Sequence, residues 1–152
     1  MTAISKTTEI LNDLIEINND RIEGYTRAIE DSEAIDVDLK TLFEYYIQQT
    51  KGFNRDLSAE VSKLGEAPEE GTRMSGKLHR LWLDVKAKFT GSDRKSILEE
   101  CERGEDASKE AYTEALADSE GLPEEIVKLI SQQADKQREG HDKIKALRDA
   151  QV

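Results

Sequence analysis

The sequence predicts an all-α fold: a four-helix bundle made of two antiparallel helical hairpins, with one extra crossover helix. Three observations predict it. Apolar residues recur at helical spacing over four segments of roughly 25–28 residues each. The prolines, Pro68 and Pro123, fall only where a helix would break or begin. A shorter apolar stripe fills the connection between the second and third long segments.

The first helix is expected from about Ser5 to Ser32, with Leu11, Leu14, Ile15, Ile22, Tyr25 and Ile29 on its stripe. The second runs from about Val37 to Leu64, with Asp36 as N-cap and Gly65 as a left-handed stop. Its stripe holds Leu39, Phe43, Tyr46, Phe53, Leu57 and Val61. Glu66 to Gly71 reads as a loop. The extra helix is expected from about Arg73 to Phe89, carrying Leu78, Trp82 and Val85 on one face. Gly91-Ser92-Asp93 ends it and caps a helix from about Arg94 to Asp118, striped by Ile97, Leu98, Cys101, Ser108, Tyr112 and Ala115. Gly121-Leu122-Pro123 is the next break, with Pro123 suited to a first helical turn. The last helix runs to about Ala150, with Ile126, Ile130, Ala134, Ile144 and Leu147 inward. No strand, tandem repeat or low-complexity segment stands out.

A helix near 27 residues is about 40 Å long. The turns after the first and third long helices are short, so each pair should fold back as a hairpin. Two hairpins joined by one long crossover are the ferritin-like wiring. The chain of 152 residues reads as a single domain, 1–152, long enough for its own core.

Hydrophobic and charged residues each make up 36%, which suits long helices with one apolar face and the rest in water. The net charge of −11, with no Lys/Arg cluster, argues against nucleic acid and anionic membranes. No run of roughly 18 apolar residues occurs, so no membrane span is expected. The first residues lack the apolar run of a signal peptide. Cys101 is the lone cysteine and reads as a small buried hydrophobe, so no internal disulfide forms and a cytoplasmic location is the default.

A ferritin-like dimetal centre needs one Glu from each of two helices and Glu-x-x-His from the other two. The i, i+3 spacing puts both ligands of such a pair on one helix face. No Glu-x-x-His occurs: Gly76 stands three before His79, and Arg138 three before His141. With the four long helices set at common depth, Gln49, Glu105, Gln133, Gln137 and His141 fall near mid-bundle, about 9–17 residues from one end, on or beside their apolar stripes. Asn18 and Ile22 share that depth on the first helix. This polar core layer has the location of a dimetal centre without its ligands. One inward carboxylate with neutral amides cannot balance two divalent ions, and Gln is the uncharged near-isostere of Glu. The layer is therefore expected to be a hydrogen-bonded network. The alternative is a single weakly bound divalent metal at Glu105, with Glu102 and His141.

Other residues have plainer readings. Glu99, Glu100, Glu102, Glu105 and Asp106 are dispersed around a helix and mostly solvated. Asp20 and Glu23 lie off the main stripe and suit surface ion pairs. No glycine-rich phosphate loop and no Ser/His/Asp or Cys/His arrangement is present.

Several stretches carry a family resemblance: Asp20-x-x-x-Gly24-Tyr25, Phe53 with Asp56-Leu57, and Leu64-Gly65. They continue with Gly76-x-Leu78-His79-Arg80-x-Trp82, Cys101-Glu102-x-Gly104-Glu105-Asp106, Tyr112, and His141-Asp142-x-Ile144. These resemble a bacterial family of ferritin-like four-helix bundles of unknown function, over nearly the whole chain. The stretch from Gly76 to Asp106 is its most specific part. Asp56 stands where members carry Glu. The resemblance implies the ferritin-like fold and brings no activity and no catalytic residues.

The expected function is that of a non-catalytic binding or interaction protein with a degenerate dimetal site. The alternative is a metal-binding or oxidoreductase protein with a reduced carboxylate site around Glu105. A homo-oligomer or protein partner is expected to dock on the crossover helix, at Trp82 and Phe89.

Overall fold

The computed structural model describes residues 3–31, 36–66 and 94–151. They form four helices: α1 (Ala3–Asp31), α2 (Val37–Lys63), α3 (Arg94–Ala117) and α4 (Glu124–Asp149). Each end lies within about two residues of the sequence expectation, the ordinary scatter of helix boundaries. No strand occurs among the described residues. The crossover helix expected over 73–89, with His79, Trp82 and Phe89, lies outside them.

The helix ends follow local chemistry. Gly65 adopts φ 79°, as a left-handed stop requires. Its N–H donates to the Ser62 carbonyl at 3.0 Å, and Glu66 N–H reaches back to the Val61 carbonyl at 3.3 Å. This paired closure satisfies carbonyls that the helix itself leaves open. Asp36 occupies the N-cap position of α2, but its side chain does not cap. Its Oδ1 instead accepts from Arg94 Nη1 at 3.2 Å, a charge-assisted bond that outcompetes a backbone N–H. Arg94 also holds Asp38 at 2.7 Å, so the starts of α2 and α3 are tied at one end of the bundle. Pro123 sits one residue outside α4 as its N-cap, and its carbonyl accepts from the amides of Ile126 and Val127.

Side-chain contacts give the wiring. Asn54 donates to Asn19 and Arg21 to Thr50, each at 2.9 Å, so α1 and α2 are antiparallel. Arg21 meets Glu105 and Asn18 meets Tyr112, so α1 and α3 are antiparallel. Gln137 meets Glu105 and Gln133 meets Tyr112, so α3 and α4 are antiparallel. Gln133 also reaches the Phe53 carbonyl on α2. It follows that α2 and α3 run parallel, and the hairpins α1–α2 and α3–α4 are joined by one long connection. That is the expected ferritin-like wiring.

The core comes in two apolar halves. One holds Leu11, Leu14, Leu57, Ala111 and Ile130; the other holds Tyr25, Phe43, Ile97, Leu98 and Ile144. Fully burying one such aliphatic or aromatic side chain contributes about 1.5–3 kcal/mol. Between the halves lies a slab of buried polar side chains: Asn18, Arg21, Thr50, Glu105, Gln133 and Gln137. No helix among the described residues is long and apolar enough to cross a membrane.

Candidate functional site

The centre of the slab is an ion pair. Arg21 Nε donates to Glu105 Oε1 at 2.8 Å and Nη2 to Oε2 at 3.3 Å, with both side chains about 2% exposed or less. Tyr25 donates its hydroxyl to Glu105 Oε1. Gln137 Nε2 donates to Oε2 at 3.0 Å and to the Glu105 carbonyl at 2.9 Å. Arg21 Nη1 is used as well, on Thr50 Oγ1 at 2.9 Å and Gln49 Oε1 at 3.4 Å. The guanidinium packs against two touching rings, 5.7 Å from the centroid of Tyr25 and 5.4 Å from that of Tyr46. A second chain of bonds runs alongside. Asn18 Nδ2 donates to Tyr112 Oη at 3.0 Å, Tyr112 donates to Gln133 Oε1 at 2.7 Å, and Gln133 Nε2 donates to the Phe53 carbonyl at 3.1 Å.

The electrostatics follow from burial and one paired charge. Burial opposes the charged form of Arg21, but Glu105 outweighs it and holds the guanidinium above its ordinary pKa. Burial first, then the Glu105 charge, pushes the Tyr25 hydroxyl well up and Tyr46 to about 12. Cys101 is buried, and the same two causes push its thiol up, so it stays protonated and unreactive at neutral pH.

A ferritin-like metal pair does not fit this donor set. The two oxygens of Glu105 accept four donors, which uses the capacity of a carboxylate. A guanidinium already stands in the slab as its cation. Two divalent ions would add about four positive charges beside that guanidinium, against the single carboxylate of the pair.

Gln49, Glu105, Gln133, Gln137 and His141 all lie at mid-bundle depth; Gln49 is half-buried and the others are buried. Arg21 is the residue that sequence reasoning missed. At this depth on α1 it is Arg21 that enters the centre, while Ile22 is half-buried. The signal was present: Leu14, Asn18, Arg21, Tyr25 and Ala28 repeat at spacings of three and four. A charged residue in that series reads as a break in the stripe, whereas here it is the partner of the one inward acid. Two other expectations are corrected. Asp20 is fully buried, not a surface acid, and Glu100 is buried as well. The inward stripe of α1 is broader than the sequence pattern suggested, and Glu100 is matched by Arg103 Nη1 at 2.6 Å.

Gly140 makes room for the guanidinium. A Cβ at this position would stand 2.9 Å from Arg21 Nη2 and 3.3 Å from a Tyr46 ring carbon. Neither neighbour can yield freely, because Arg21 is held at both ends of its fork. Gly140→Ala should therefore lose about 1–2 kcal/mol by denaturant titration, overpacking outweighing the gain of about 1 kcal/mol in helix propensity. An alanine variant more stable than wild type would show that the fork is loosely held.

A second cluster lies on the α3–α4 side. Glu102 and Asp106 are one turn apart on α3, and His141 faces them from α4. His141 Nε2 is 2.6 Å from Asp106 Oδ1 and 3.8 Å from Glu102 Oε1. Its Nδ1 is 3.1 Å from Asp142 Oδ1. Glu102 Oε2 lies 3.1 Å from Arg148 Nη1. Thus Glu102 and His141 do come together, but with Asp106, while Glu105 faces Arg21, Tyr25 and Gln137.

Wiring, helix lengths and a polar slab at mid-bundle define a protein of the ferritin-like class. Within it, the chain belongs to the family described as a domain of unknown function (DUF2383), matched over residues 6–118. This agrees with the resemblance carried by the sequence motifs. No curated protein matches the chain in sequence at a significant level. Solved structures that share its fold include the following three. A mutant of Mycobacterium smegmatis Dps1 has TM-score 0.79 at 10% identity, covering 97% of this chain and 99% of that one. A ferritin-like diiron-carboxylate protein from Bacillus anthracis has TM-score 0.78 at 17% identity, with the same coverage of 97% and 99%. The dodecameric thioferritin of Bacteroides fragilis, a bacterioferritin-related protein, has TM-score 0.76 at 14% identity, covering 95% and 84%.

Proposed function

We propose that this chain is a non-catalytic binding protein of the ferritin-like class, in which an ion pair has taken the place of a metal pair. The observation that carries the reading is Arg21 seated on both oxygens of Glu105 at mid-bundle. A carboxylate whose lone pairs are all engaged is a structural group and not an open ligand. The reading takes residues 1–152 as one domain, in the cytoplasm of a bacterium, with the net charge of −11 keeping it away from nucleic acid and anionic membranes. Self-association belongs to it too, supported by a fold neighbour that is dodecameric.

The test is iron oxidation. Full-length protein, mixed with Fe(II) in air, should oxidise it no faster than protein-free buffer. Catalysed oxidation that Glu105→Gln abolishes would overturn the reading. Light scattering on the same sample reads the assembly state, and a strict monomer at all concentrations would remove the self-association.

A further inference from the structure

Glu102, Asp106 and His141 are independent of the Arg21–Glu105 pair, and the geometry points to them as a site for one divalent first-row transition ion, held in the α3–α4 groove. One ligand atom from each of the three lies within 4.8 Å of the others. Donors about 2.1 Å from a common ion sit about 3.0–3.5 Å apart at tetrahedral or octahedral angles. His141 Nε2 is now 2.6 Å from Asp106 Oδ1 and 3.8 Å from Glu102 Oε1. Rotations of about half an ångström, one opening and one closing, bring both spacings into that range. Asp106 is exposed and Glu102 half-buried, so both are able to make them.

The surroundings suit a ligand set. The His141 side chain is 6% exposed, so its ring is held in place. Nδ1–H is donated to Asp142, the kind of outer partner that metal-bound histidines carry, and Nε2 faces the two carboxylates, where an incoming ion would displace the proton it shares with Asp106. Glu102 keeps one oxygen on Arg148, which orients the other. Charge also balances: Glu102, Asp106 and Asp142 bring three negative charges against one divalent ion and the Arg148 guanidinium. A nitrogen with two oxygens favours Zn(II), Co(II), Mn(II) or Fe(II) over Mg(II) and Ca(II). Three protein ligands leave positions for water or a small anion.

The test uses the full chain stripped of metal. Titration with Co(II), followed by its visible bands, and with Zn(II), followed by calorimetry, should give one ion per chain. Asp106→Asn is nearly isosteric at an exposed position, so it should keep the helical circular dichroism and melting point while weakening binding about tenfold or more. His141→Gln should remove the nitrogen signature from the Co(II) spectrum. Binding with unchanged affinity in Asp106→Asn, or no binding of either metal at millimolar concentration, would overturn the assignment. The cluster would then be a hydrogen-bonded contact between His141 and its acids. Neither result bears on the iron-oxidation test of the interior.

Discussion

Arg21→Ala should cost about 3–5 kcal/mol of folding stability. The loss does not come mainly from the ion pair as an attraction. Removing the guanidinium leaves Glu105, 1% exposed, with only Tyr25 and Gln137 as donors in a low-dielectric slab. It also strips Thr50 and Gln49 of their donor and opens a void beside the Tyr25 and Tyr46 rings. The double change Arg21→Met with Glu105→Leu should recover more than half of the loss, because both charges leave together. Recovery stops short of wild type, since the Tyr25 hydroxyl then lacks its acceptor. Urea or guanidinium midpoints for wild type, single and double variants give the comparison. A double variant as unstable as Arg21→Ala would mean that shape, not buried charge, governs this slab.

Tyr112→Phe should lose about 2–4 kcal/mol, more than one hydroxyl usually contributes. The oxygen is a relay, accepting from Asn18 and donating to Gln133. Without it two buried groups are orphaned at once, each costing about 1–3 kcal/mol. Neither can turn to water, because Asn18 and Gln133 are at most 3% exposed. Removing the partners as well, by adding Asn18→Leu and Gln133→Leu to Tyr112→Phe, should return part of the loss. A Tyr112→Phe melting point unchanged from wild type would show that the slab repacks around the missing hydroxyl.

Much of the architecture was readable because each element announces itself locally. Gly65 supplies the positive φ that closes α2, and Pro123 stands at the break before α4. The stripe of Leu39, Phe43, Tyr46, Phe53 and Leu57 is buried as its spacing requires. The depth of Gln133, Gln137 and Glu105 also followed from helix length and direction alone. What local pattern handles poorly is a charge that belongs inside. Propensity and hydropathy count Arg21 and Asp20 as polar, and only neighbours from other helices decide whether such a group is buried. Asp36 shows the same effect at a helix end: its residue type suits capping, yet Arg94 from another helix takes its side chain.

The sequence by itself therefore determined the helices, their two hairpins and the mid-bundle position of the amides, since all of these depend on period, length and turn chemistry within the chain. Only the tertiary structure decided that the interior acid is matched by Arg21 and that His141 faces Asp106 beside Glu102. Those pairings join side chains 84 and 35 residues apart, and their distances are set by how the helices rotate against one another.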